Sequence, residues 1–241
     1  SIFNSIKNNK IPNAYMFLGI RGSGKTSTAR IVAKALNCKN GFENLCKDNF
    51  CENCEAITNS SHIDIFELDA ASQSSVENTR ELIEFSRYAP TTSKYKIFIL
   101  DECHMLSKQA WASLLKTLEE PPEYLKFIFA TTEIQKIPIT VVSRCQRFDL
   151  SRIETETLFK FLKSIGIKEN KEIEDNALKL IVKISEGSVR DALSLLDRAL
   201  ISNSKNILTL NEAQKIFGYT DKSSYIDLVN ILLKGDENSV I

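Results

Sequence analysis

Through the first 150 residues, short apolar runs alternate with stretches of helical periodicity. Ile2, Phe3 and Ile6 recur at helical spacing, and residues 14–18 form a continuous apolar run that enters a glycine cluster, as a buried strand does. A helix over 26–36 follows. The next stretch, 39–61, is polar, carries cysteines, shows little periodicity and reads as an insertion. Further apolar runs at 63–68, 97–100, 127–130 and about 145–150 each have the length of a buried parallel strand. Ser74 with Glu77 predicts a capping box ahead of a helix over 76–88. Ser107 predicts the cap of a helix over 108–120, which Pro121-Pro122 stops. Strands alternating with helices predict an α/β core.

After Asp149 the strand pattern disappears. Amphipathic helices are predicted at about 154–164, 174–186, 188–202 and 210–217, with Gly187 and Gly218 near helix ends, which makes a second, all-helical domain. A further apolar helix over 225–233 lacks neighbours to cover its face and reads as the start of a third domain. The expected organisation is therefore an α/β domain over 1–150, a helical domain over 151–218 and the beginning of another over 219–241. A chain that opens on Ser1 and stops at Ile241 reads as an excerpt of a longer one.

Composition removes several classes. With 43% hydrophobic and 26% charged residues the chain is an ordinary globular one, not a disordered or fibrous polymer. The longest apolar run, 14–18, is far below the roughly 20 residues that span a bilayer, so no membrane association and a cytoplasmic location are expected. The 31 Lys+Arg balance 31 Asp+Glu, so a nucleic-acid partner is not announced by bulk charge.

Three of only eight glycines fall in Gly19-Ile20-Arg21-Gly22-Ser23-Gly24-Lys25-Thr26-Ser27, which matches the phosphate-loop pattern in full. Glycines let the backbone N–H groups turn inward around a phosphate. Lys25 can then reach the β- and γ-phosphates, Thr26 can ligate Mg²⁺, and the following helix points its N-terminus at the anion. The apolar run 97–100 ends in Asp101-Glu102, one carboxylate suited to hold Mg²⁺ and the next to orient or deprotonate an attacking water. Thr132 closes the following run, where its hydroxyl can sense a γ-phosphate or simply end a strand. Arg144, in Ser143-Arg144-Cys145, reads either as a solvated loop residue or as a finger reaching a neighbouring subunit's site. Arg190 sits in the first turn of a helix, where the dipole does not favour a cation, so an anion is expected to hold it.

Cys38, Cys46, Cys51 and Cys54 cluster within 17 residues and can supply the four thiolates of a structural zinc site, which would fold an insertion that has no core of its own. Cys103 and Cys145 read as core thiols and His104 as structural; His62 has no assigned role.

Taken with Glu67-Leu68-Asp69-Ala70-Ala71-Ser72, DECHMLSKQAW, LLKTLEEPPE, FIFATTE, SRCQRF and GSVRDALSLLD, these motifs resemble the gamma/tau ATPase subunits of the bacterial DNA polymerase III clamp loader, in the AAA+ superfamily. The resemblance implies an AAA+ phosphate-loop ATPase domain with a zinc insertion at about 38–55, a helical lid and the start of an oligomerising collar. It implies that Lys25 and Thr26 bind ATP and Mg²⁺, that Asp101 and Glu102 are the Walker B pair, and that Thr132 and Arg190 are sensors. Arg144 would act in trans within a five-subunit assembly. Further implied partners are other loader subunits, the sliding clamp, primer-template DNA, and the polymerase core and helicase through more C-terminal sequence. Where relatives carry basic DNA-facing residues this chain has Gln73, Ser74 and Ser75, which leaves Arg80 as the expected DNA contact. The rival expectations are a nucleotide-binding scaffold that does not hydrolyse, and a zinc-dependent DNA-binding module with a vestigial ATP fold.

Overall fold

The structure, a computed structural model, describes residues 2–8, 10–46, 49–73, 75–202 and 207–219. The chain divides into two compact units, Ser1–Ser151 and Arg152–Ile241. In the first unit the order is α1 (Ile2–Lys7), β1 (Ala14–Gly19), α2 (Lys25–Asn37), α3 (Glu52–Thr58), β2 (Ile65–Asp69), α4 (Val76–Ser86), β3 (Lys96–Asp101), α5 (Lys108–Glu119), β4 (Leu125–Thr131), α6 (Ile139–Val142) and β5 (Gln146–Leu150). Single 3₁₀ turns lie at Cys103–Met105 and Ile134–Lys136.

The five strands form one sheet in the order β2-β3-β4-β1-β5, and every pairing is parallel. Its apolar strings are continuous because both faces are covered. On one face Phe98, Leu100, Phe127 and Phe129 pack against Trp111, Leu114 and Leu118 of α5. On the other, Tyr15, Phe17, Ile97, Ile99 and Ile128 meet Ala29, Val32, Ala33 and Leu36 of α2. Pairing of Leu18 with Thr131, and of Asp69 with Asp101, brings the carboxyl ends of these strands to one side of the sheet. That end is where open α/β sheets bind ligands.

The second unit holds α7 (Thr155–Lys168), β6 (Glu172–Ile173), α8 (Asp175–Ser185), α9 (Val189–Ser202), β7 (Ile207–Leu208) and α10 (Leu210–Phe217). Leu158, Leu162, Leu178, Ile181 and Leu196 form its core. Among its described residues the regular structure is helical apart from a two-residue parallel pairing of β6 with β7, which falls between the expected helices and makes the domain not all-helical.

The α/β core with a helical unit after it is the fold class expected, with local corrections. The strand expected at 63–68 begins only at Ile65: Ile63 is 65% exposed, and Asp64 turns inward to tie down the 91–93 loop. Helix α4 stops at Ser86 rather than 88. Its cap is Ser75, which accepts a hydrogen bond from the Asn78 amide; Ser74, the cap expected, lies outside the described residues. The stretch 39–61 carries one short helix, α3, packed by Ile57 onto the α2 face. The helix expected over 225–233 also lies outside the described residues.

Candidate active site

The loop between β1 and α2 is shaped by close approach. A Cβ on Gly19 would lie 2.6 Å from Ser23 Oγ and 2.7 Å from the Leu150 carbonyl, so only glycine fits. Gly24 caps α2 with φ 86°, a left-handed conformation that costs other residues about 1–2 kcal/mol. Lys25, the first residue of α2, is 5% exposed and folds back so that Nζ donates to the carbonyls of Gly19 (3.1 Å) and Ile20 (3.2 Å). Arg21 and Ser27 are exposed at the rim, and Ser23 Oγ is buried.

Strand β3 delivers the acidic half. The Thr26 hydroxyl donates to Asp101 Oδ2, and Asp101 Oδ1 accepts from the Glu102 amide at 2.9 Å. Glu102 leaves the strand in the left-handed region, φ 44° and ψ 41°, a strain of the kind that gathers at functional sites. Its Oε1 lies 3.8 Å from Lys25 Nζ, and its Oε2 accepts from the Thr132 hydroxyl at 3.3 Å. Five residues from the start of α2 and the ends of β3 and β4, Lys25, Thr26, Asp101, Glu102 and Thr132, thus share one connected polar cluster. A buried cation beside a loop of inward backbone can take phosphate, and the adjacent carboxylates can take a divalent cation and a proton.

His104, read from sequence as structural, also stands in this cluster. The 3₁₀ turn after Glu102 swings it back, with Nδ1 3.1 Å from Thr131 Oγ1 and 3.4 Å from Glu102 Oε2. No sequence signal marks that placement, because it depends on the unusual backbone of Glu102.

The other expected site residues make different contacts or stand at the surface of their own unit. Arg144 is exposed, donates to the Thr140 carbonyl at 2.7 Å and pairs with Glu119 of α5 at 2.8 Å. Arg80 is exposed on α4, and Arg190 is exposed in the first turn of α9, in the second unit. Cys103 is fully buried and burial pushes its thiol up; Cys145, packed beside that core, is pushed up by burial to about 12. Both are core thiols. His62 is buried, accepts from the Asp64 amide at 3.1 Å and is held below its ordinary pKa by burial.

The four clustered cysteines converge. Their sulfurs all lie within 4.8 Å of one another, with Cys38 Sγ 3.6 Å from Cys46 Sγ and 4.0 Å from Cys51 Sγ, and none is in a disulfide. Four thiolates at a metal–sulfur distance of about 2.3 Å on a tetrahedron stand about 3.8 Å apart, so the donor set fits such an ion. Burial raises the Cys51 thiol, but backbone hydrogen bonds at Cys54 and Lys39 outweigh it and bring the group down to about 6.

Comparison with known proteins follows the same division. Residues 1–154 match the family model "DNA polymerase III, delta subunit", and residues 158–205 match "DNA polymerase III clamp loader subunit, ATPase lid domain". The chain belongs to the DNA polymerase III gamma/tau clamp-loader family. Among family members, the gamma/tau subunit of Mycoplasma genitalium is 43% identical over 98% of this chain and 39% of its own length. The tau subunit of Escherichia coli is 39% identical over 100% of this chain and 37% of its own, and the gamma subunit of Buchnera aphidicola (Baizongia pistaciae) is 43% identical over 100% and 65%. The chain thus spans well under half the length of the first two. Among solved structures the RuvB Holliday junction branch migration motor of Thermotoga maritima superposes with TM-score 0.63 over 96% of this chain and 72% of its own, at 17% identity, a likeness of fold alone. Among the described residues no helix is long and apolar enough to cross a membrane.

Proposed function

We propose that this chain is the ATP-binding and ATP-hydrolysing part of a bacterial clamp-loader subunit, working in the cytoplasm to load a sliding clamp onto primer-template DNA. The observation that carries the reading is the single cluster of Lys25, Thr26, Asp101, Glu102 and Thr132 at the carboxyl end of a parallel sheet. On this reading 1–150 is the ATPase domain, 151–218 the lid and 219–241 the start of the collar.

The backbone amides of the 19–24 loop and the N-terminus of α2 cradle the phosphates. Lys25 exchanges its carbonyl and Glu102 partners for the β- and γ-phosphates. Thr26 and Asp101, already in contact, hold Mg²⁺, which neutralises charge on the phosphate oxygens when bound. Glu102 is the base that orients and deprotonates the attacking water, and Thr132 links that carboxylate to the γ-phosphate. Arg190 acts as a sensor from the lid, and Arg80 meets DNA phosphates. Arg144 exchanges Glu119 for the nucleotide of the adjacent subunit, which is why several loader subunits are needed for turnover. Cys38, Cys46, Cys51 and Cys54 hold a structural zinc ion.

The test is steady-state ATP turnover by the full-length protein assembled with its loader partners, with and without clamp and primer-template DNA, alongside Arg144→Ala. Turnover that rises with clamp plus DNA and fails to rise in the variant supports the reading. Flat turnover, indifferent to the variant, replaces it with that of a nucleotide-binding scaffold.

A further inference from the structure

We propose that His104 is a positioning residue that holds the Glu102 carboxylate in place once nucleotide is bound; this rests on the ATPase reading above. Among the described residues the carboxylate has three polar side-chain neighbours: Lys25 at 3.8 Å, the Thr132 hydroxyl at 3.3 Å and His104 Nδ1 at 3.4 Å. The first two are groups that a bound triphosphate would claim. His104 is then the neighbour left to Glu102.

The imidazole is built for that task. Its side chain is 7% exposed; Nδ1 is hydrogen-bonded with Thr131 Oγ1 at 3.1 Å, and Nε2 lies 3.6 Å from Glu133 Oε1, beyond hydrogen-bond reach. Thr131 is itself fixed, since it is fully buried at the end of β4 and its Oγ1 accepts from the Glu133 amide at 3.0 Å. The ring therefore has a firm backing on β4, and the same Nδ1 that meets Thr131 lies 3.4 Å from the Glu102 carboxylate just beyond the end of β3. Glu102 needs such a backing, because its left-handed backbone takes its side chain off the regular alternation of the strand. His104 touches neither phosphate nor water in this scheme and acts only through Glu102.

The test uses the full-length protein in the assembled loader with clamp and primed DNA, comparing Glu102→Gln, His104→Gln, His104→Asn and the double Glu102→Gln/His104→Gln. Asparagine can place an amide near the Nδ1 position, whereas glutamine reaches toward Nε2. Expected are a fall in kcat of about tenfold or more for His104→Gln with KM for ATP unchanged, substantial recovery in His104→Asn, and no further loss when His104→Gln is added to Glu102→Gln. Thermal unfolding and nucleotide binding of each variant separate this from misfolding. If His104→Gln does not fold, the Asn variant's kcat against its KM decides: near-normal kcat supports the proposal and a joint collapse of kcat and binding overturns it. Normal kcat in His104→Gln, or an additive loss in the double variant, overturns it while leaving the ATPase reading standing. Normal turnover in Glu102→Gln removes Glu102 as the base, and this proposal with it, whereas the ATPase reading itself falls only on flat wild-type turnover that clamp and DNA do not raise.

Discussion

The Thr26 hydroxyl donates a hydrogen bond to Asp101 Oδ2 across 75 residues of sequence. One belongs to the first turn of α2 and the other to the last residue of β3, so the contact exists only because the sheet sets both beside the same loop. It brings together, before any ligand arrives, the two side chains proposed above to hold Mg²⁺, and the opposite side of the cluster is set by Lys25 and Glu102.

Lys25→Ala should weaken nucleotide binding without unfolding the chain. Replacing a charge-assisted contact costs about 1.5–3 kcal/mol, or roughly ten- to 150-fold in affinity. Titration with a fluorescent ATP analogue measures it, and wild-type affinity in the variant would mean that Lys25 does not reach the phosphates.

Glu102→Gln should separate binding from chemistry. The amide keeps the shape and can still meet Thr132, but it cannot take a proton, so turnover in the assembled loader should fall by about 10²–10⁴-fold with nucleotide affinity retained. Equal loss of affinity and turnover would assign Glu102 to binding instead.

Asp64→Asn should destabilise the α/β unit. The Asp64 carboxylate, 1% exposed, accepts hydrogen bonds from the amides of Thr91, Thr92 and Ser93 and from the hydroxyls of Thr92 and Ser93. Burial alone would raise its pKa, but these donors outweigh it and hold the group below the ordinary carboxylate range. An amide NH₂ would face donors, a loss of about 2–3 kcal/mol by the cost of an unsatisfied buried group. Since the folded-state pKa is depressed, the stabilisation is complete above the ordinary aspartate pKa and is lost as pH falls through the lowered value. Melting temperatures of wild type and variant should therefore differ at neutral pH and converge only in strong acid; a constant gap would contradict this.

A strong zinc chelator should release one metal ion per chain and lower the melting temperature. The cysteine module contributes few buried apolar residues, chiefly Cys54 and Ile57, so under the zinc reading proposed above the metal would be its main source of order. Cys54→Ala should reproduce the shift and make the protein indifferent to chelator. Metal analysis with no zinc, or an unchanged melt, would leave the four thiols without a shared ligand.

Much of this was legible in the order of residues because it is local. A continuous apolar run marks a strand covered on both faces, glycines spaced around Lys25 mark a loop that must turn tightly, and four thiols within 17 residues cannot fold far apart. Those features depend on neighbours a few positions away. The class of fold, the phosphate loop and the carboxylates after an apolar strand follow from them.

The tertiary structure alone decided what depends on long-range packing and on the direction of a side chain. It put β4 between β3 and β1, so that Thr132 meets Glu102 and Thr131 backs His104. It turned Ile63 to solvent and Asp64 inward, though both lie in or beside an apolar run, because the buried carboxylate captures the 91–93 loop. It paired Arg144 with Glu119 on a surface that its sequence neighbours do not reveal. A sequence states which groups are available, but the strand order and the left-handed turn at Glu102 determine which of them point at one another.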